Sequence, residues 1–313
     1  MDAGGPVGNR CDLPMPAKFR EVTKDSGVDE DLNASYQGIV VLLKGSNRVI
    51  LSEGAGLKVG SNLPSMVIVK EITGNYPGSL AADQIANLKS GAIRLFEISA
   101  SAVPGMDKAV VTAKDPKGVE KAKLKVLVLR PRPATISIRP VYVMQGGKEV
   151  LYTSFNGVAQ NLVDAINAVW TQQANVVFTL GSSEKALIKG IAPDAMGVDI
   201  TNDAILKELV AAKGSAKGLT AFMVRLAFDN GKAVNGVTNA EAGVALISDN
   251  CGNTTIAHEA GHYLGAVDDQ GRFAGRYGHP GSQATEMLMR DGGAGSKIPY
   301  GAVSDFNKGY TTK

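Results

Sequence analysis

Between residues 36 and 129 the chain alternates short apolar runs with turn residues: "YQGIVVLLK", "RVILSEG", "LPSMVIVKEI", "AIRLFEISA", "KAVVTAK" and "KAKLKVLVL". Six runs of strand length at close spacing, bounded by Gly, Asn, Pro and Asp, predict an antiparallel β-sandwich over residues 36–130. One interruption, "PGSLAADQIANLKSG" (77–91), places Leu80, Ile85 and Leu88 at mixed spacing and predicts a short helix over one end of the sandwich. Residues 1–35, rich in Gly, Pro and charge, predict an irregular N-terminal segment.

At "RPRP" (130–133) alternating prolines remove backbone donors and favour extended chain, which marks a domain boundary. Beyond it two periods mix. "TISIRPVYVM" (135–144) alternates as a strand does, whereas "VAQNLVDAINAVWTQQ" (158–173) sets Val158, Leu162, Ala165, Ile166, Val169 and Trp170 along one helical face. "NVVFTLG" (175–181), "TAFMVRLAF" (220–228) and "EAGVALISD" (241–249) read as further strands, and "NDAILKELVAAKG" (202–214) as a helix closed by Gly214. This order predicts an α/β or α+β domain over residues 134–313, and for the whole chain an α+β fold class with an all-β N-terminal part.

Composition narrows the function classes. An apolar fraction of 44% in 313 residues is enough for two cored domains. A balance of 33 basic against 30 acidic residues leaves a formal +3, too small and dispersed for a nucleic-acid partner. No apolar run approaches the roughly 18 residues of a membrane span, so no membrane segment is expected; the expected oligomeric state is a monomer. The N-terminal "MDAGGPVGNRCDLP" has no charged n-region or apolar h-region; an exported protein is expected only with its signal peptide already removed or by another route.

The chemistry is concentrated in "HEAGHYLGAVDD" (258–269). All three histidines of the chain, His258, His262 and His279, fall within 22 residues. A helix turns about 100° per residue, so His258 and His262 project two imidazoles toward one point and can ligate a single Zn2+. Asn253, Thr254 and Thr255 are N-cap candidates for that helix. Ile256, Ala257, Ala260 and Leu264 can face a core, and Gly265 is a natural stop. Glu259 stands where hydrolases with this motif keep the general base that takes a proton from a metal-activated water.

These residues resemble the extended motif of the metzincin zinc proteases, H-E-x-x-H-x-x-G-x-x-H, with aspartate in the last place as in the snapalysin-like branch. The resemblance implies a zinc endopeptidase acting on protein or peptide substrates. It makes Asp268 the third metal ligand, since a carboxylate binds zinc at about 2.0–2.2 Å. Gly265 would let the chain turn sharply beneath the metal. It implies a methionine turn in "TEMLMRDGG" (285–293), with Met289 as the floor and Met287 as the alternative. "IPYGAVSDFNKGY" (298–310) would form a short C-terminal helix under that turn, and an edge strand at 241–249 would line the cleft and pair with extended substrate. The first domain is similar in pattern to small immunoglobulin-like domains, without their paired cysteines and buried Trp.

Alternatives stand beside this set. Asp269 neighbours Asp268, and His279 in "RYGHPG" is a rival third ligand; Tyr277 and Tyr300 are candidates for oxyanion stabilisation. Cys11 and Cys251 admit a disulfide or two free thiols. "NRCDLP" also loosely resembles the cysteine switch of matrix metalloproteases, which would make Cys11 an inhibitory zinc ligand. The competing functions are a zinc amide hydrolase of a non-protein or cell-wall peptide substrate, and a binding or adhesion module with a degenerate metal site.

Overall fold

A computed structural model describes residues 19–21, 38–42, 44–52, 54–76, 80–102, 109–249, 251–266, 288–289, 298 and 303–307. In its first half the turn-bounded apolar runs become β1 (Phe19–Glu21), β2 (Gly38–Leu42), β3 (Ser46–Ser52), β4 (Lys58–Ser61) and β5 (Val67–Ile72). α1 (Ala82–Ser90), β6 (Ile93–Ala100), β7 (Ala109–Lys114) and β8 (Glu120–Leu129) follow. They form two four-stranded sheets, ordered β1-β3-β6-β5 and β2-β8-β7-β4. Pairing is antiparallel except between β2 and β8. The period-two pattern turns Val49, Leu51, Phe96 and Ile98 of one sheet toward Val111, Leu124 and Val126 of the other, and these close a shared core.

Two expectations change here. The segment expected to be irregular supplies β1, whose Phe19 is fully buried in that core. The helix at 82–90 forms, but it packs Leu88 on Ile50, Ile93 and Leu95. These residues alternate with the core-facing Val49, Leu51 and Phe96, so α1 covers the outer face of its sheet rather than one end of the sandwich.

The second half runs β9 (Arg132–Gln145), β10 (Lys148–Leu151), α2 (Ala159–Ala174), β11 (Val176–Leu180), β12 (Ala186–Leu187), β13 (Val198–Asp199) and α3 (Asp203–Lys213). It continues with β14 (Leu219–Val224), β15 (Ala227–Asp229), β16 (Lys232–Val234), β17 (Gly236–Asn239), β18 (Val244–Ser248), α4 (Asn253–Ala266) and α5 (Val303–Phe306). The main sheet is ordered β10-β9-β14-β18-β17, with β11 and β12 also paired to β9. β9, β11, β14 and β18 are parallel, and β17 is antiparallel to β18 at the edge. β13, β15 and β16 make a small separate sheet.

Both faces of the main sheet are covered. Ile136, Ala221, Met223 and Ile247 face α2 and α4, while Val141, Phe222, Val224 and Leu246 share the opposite core with Ile205 and Leu209 of α3. This explains why β14 and β18 are buried at every position rather than alternating. It also explains a misreading: "TAFMVRLAF" is not one strand but β14 and β15, broken at Arg225 and Leu226.

"RPRP" joins two strands that are both held by the second core. β8 ends at Leu129 and β9 begins at Arg132, two residues before the expected start of the second domain. Leu127 and Leu129 pack into the second core, and the Asn175 and Asn307 side-chain amides donate to the Leu129 and Arg130 carbonyls, each at 2.9 Å. Arg132 itself is buried, its guanidinium donating to the carbonyls of Leu264 (3.3 Å) and Phe306. A cation at the last turn of α4 complements that helix's dipole. The described chain is thus a sheet-rich α+β structure, and no described helix is long and apolar enough to cross a membrane.

Candidate metal centre

α4 is buried almost all round. Ile256, Ala257, Ala260 and Leu264 face the core, as their spacing predicts, but Thr255, His258, Glu259 and Tyr263 are buried as well. The cause is that α2, α5, β14, β17 and β18 all pack against it. The helix begins at Asn253, so the three N-cap candidates occupy its first turn; Thr255 N–H donates to Gly252 O at 2.9 Å. Gly265 does not end it, because the helix continues to Ala266.

The i, i+4 spacing brings the two imidazoles together, with Nε2 of His258 and Nε2 of His262 3.0 Å apart. His258 Nδ1 lies 2.5 Å from the Leu288 carbonyl. A carbonyl only accepts, so Nδ1 carries the hydrogen and the Nε2 lone pair points at His262. A backbone carbonyl holding the far nitrogen of a ligand is the usual second partner of a metal-bound histidine.

The residue after Leu288 is Met289, which lies beneath this turn. A Cβ built on Gly261 would stand 2.3 Å from Met289 Sδ and 2.9 Å from Trp170 Cζ2, so Gly261 is there for space. Trp170 Nε1 donates to the Ala257 carbonyl at 2.9 Å. The turn that carries both histidines is therefore held from below by Met289 and Trp170, both buried.

Glu259 faces β17. It is 4% exposed, and the Thr238 hydroxyl donates to its Oε2 at 2.7 Å. Burial pushes its carboxyl up to about 7; the Thr238 bond opposes the rise and the negative charge of Asp229 adds to it. A carboxyl titrating near neutrality is suited to taking and returning a proton.

This gives a stability prediction for protein stripped of metal by a chelator. The folded pKa lies above the ordinary 4.5, so the folded state holds its proton where the unfolded chain has lost it. The contribution is full below pH 4.5 and is lost as pH rises to 7. At about 1.4 kcal/mol per pH unit, Glu259→Gln gains about 3 kcal/mol over wild type across that window. Urea midpoints at pH 5 and pH 8 check it; a constant difference between the two proteins contradicts it.

Other predicted site residues sort plainly. Asp268, Asp269, His279, Tyr277, Tyr300, Met287 and Cys11 lie outside the described residues. Among the described residues no three His, Cys, Asp or Glu side chains converge; the histidine pair does. Cys251 is a free thiol among the described residues, and burial raises its pKa, which disfavours the reactive thiolate; its expected disulfide partner, Cys11, is not among them. The edge strand expected at 241–249 is misplaced. β18 is an inner strand, and β17, which the sequence reading passed over, forms the edge beside Glu259. Gly261, Gly236, Thr238 and the Leu288 carbonyl were also missed.

The donor set fits zinc. Two imidazole nitrogens 3.0 Å apart can share an ion at the usual zinc–nitrogen length of about 2.0–2.1 Å, and the fixed tautomer of His258 supplies the lone pair that bond requires. No family model matches the chain, and no curated protein matches it in sequence.

Proposed function

We propose that this protein is a zinc-dependent endopeptidase with a metzincin-like centre, in which His258, His262 and Asp268 hold the metal, Glu259 is the general base and Met289 forms the floor. The observation that carries the reading is the convergence of two Nε2 atoms, one with its tautomer set by Leu288, on the same helical turn as a buried glutamate. Zinc, when bound, supplies Lewis acidity, polarising the scissile carbonyl and lowering the pKa of a coordinated water toward 7.

The chain's own groups account for the proton traffic. Glu259 takes a proton from the attacking water as its oxygen bonds to the carbonyl carbon, then delivers a proton to the amide nitrogen as the C–N bond breaks. Trp170 and Met289 hold the α4 turn rigid so that both imidazoles keep their aim. An extended substrate would align on the outer edge of β17, where the described sheet ends.

The test is zinc analysis of purified wild type and of His258→Ala/His262→Ala, together with cleavage of a peptide library. One zinc per chain and peptide cleavage in wild type, both lost in the variant, are expected. Wild type without zinc, or cleavage that persists in the variant, rejects the proposal.

A further inference from the structure

We infer that Thr238 is a positioning residue for Glu259, and that Gly236, on the same face of the edge strand, provides the space this positioning needs. The inference rests on the metal-centre reading above and goes beyond it by assigning the geometry of the base to β17.

Successive side chains of a strand point to opposite faces, so Gly236 and Thr238 share the face turned toward α4, while Val237 packs into the core on the α3 side. On that face β17 makes two different contacts with one side chain. Thr238 Oγ1 lies 2.7 Å from Glu259 Oε2 and 3.2 Å from the Glu259 carbonyl oxygen. A hydroxyl has one hydrogen to give, and a bond to a carboxylate is the shorter and stronger, so Oε2 is its main acceptor.

At Gly236 the contact is steric. A Cβ there would stand 2.8 Å from Glu259 Cγ, 2.8 Å from Glu259 Oε1 and 2.9 Å from Thr255 Cγ2. The backbone of Gly236 is not in the left-handed region, so a close approach and not conformation requires the glycine.

Together the two contacts fix a flexible side chain. Thr238 engages one carboxylate oxygen, the bare backbone at Gly236 bounds Cγ and the other oxygen, and Oε1 is left as the oxygen that takes the proton. Productive placement of the base thus depends on the strand along which substrate lies, in addition to its own helix.

The experiment compares full-length, zinc-loaded wild type with Thr238→Val, Thr238→Ser, Gly236→Ala and Glu259→Gln, reading kcat and KM on one peptide, zinc content and thermal midpoint. Valine keeps the shape and removes the donor. It should lower kcat about 10- to 100-fold, the usual effect of losing an outer partner of an active-site group, with KM and zinc content unchanged and a small fall in thermal midpoint from the unpaired buried carboxyl. Serine restores most of the loss, and Gly236→Ala loses kcat as valine does while keeping its zinc.

A purely structural role would instead lower the zinc content, or lower the thermal midpoint while kcat stays at the wild-type value. Wild-type kcat in Thr238→Val, or equal loss in the valine and serine variants, overturns the inference. The two levels separate in the same experiment. If wild type holds no zinc or Glu259→Gln is fully active, the metal-centre reading fails and takes this inference with it. If both of those stand and Thr238→Val keeps its kcat, only the positioning role fails.

Discussion

Glu259→Ala will lower turnover of a cleaved peptide about 100- to 10,000-fold, the range a positioned general base supplies, and will leave the zinc content of the protein unchanged. The two effects separate because the carboxylate is not one of the proposed ligands: Thr238 on β17 holds one of its oxygens, while the converging imidazoles would hold the ion. Alanine also removes a buried side chain and leaves Thr238 without its main acceptor, so some loss of stability will accompany the loss of rate. Glu259→Gln distinguishes these contributions. Glutamine keeps the volume and can still accept the Thr238 hydrogen, but it cannot take a proton at neutral pH. It should therefore be as slow as alanine and at least as stable as wild type. Near-wild-type turnover in the glutamine variant would exclude Glu259 as the base, whatever the zinc content shows.

What could be read from the sequence followed from periodicity and side-chain chemistry. α2, α3 and α4 are long enough for their apolar spacing to show, and the motif histidines meet because four residues on a helix return to the same side. Glu259 and Met289 were legible through the motif, and the structure sets the first against β17 and the second beneath Gly261.

The missed features have physical reasons. β15, β16 and β17 are three or four residues long, too short for a period to emerge. β17 also contains a glycine and a threonine where an apolar residue would advertise a strand, since its inner face must admit a carboxylate rather than a core side chain. The bond that fixes the His258 tautomer comes from a carbonyl, and a backbone oxygen leaves no mark on residue identity. Gly261 occupies a position that the motif leaves free; only the approach of Met289 and Trp170 shows why it is small. At "RPRP" the extended chain was legible from the prolines, whereas the anchoring of Arg132 between them by two carbonyls 132 and 174 residues further on was not.

The second large effect is expected at Trp170, the sole tryptophan of the chain, and it concerns stability. Trp170→Ala will cost about 3–5 kcal/mol, as truncation of a fully buried large aromatic does. The side chain spans three helices. From α2 its ring meets Phe306 of α5 edge-on, with centroids 4.8 Å apart, its Cζ2 approaches Gly261, and its N–H reaches the Ala257 carbonyl of α4. Ala257 precedes His258 and Gly261 precedes His262, so the vacated volume lies directly under the turn that aims both imidazoles. Zinc affinity should therefore fall together with the urea midpoint. Trp170→Phe divides the terms: it keeps most of the packing and loses the donor, for about 1 kcal/mol from the hydrogen bond plus the smaller ring's lost contacts. A Trp170→Ala protein that unfolds within about 1 kcal/mol of wild type and holds zinc equally well would mean that α4 keeps its position without α2. The rigidity of the centre would then have to come from the Leu288–Met289 turn and β17 alone.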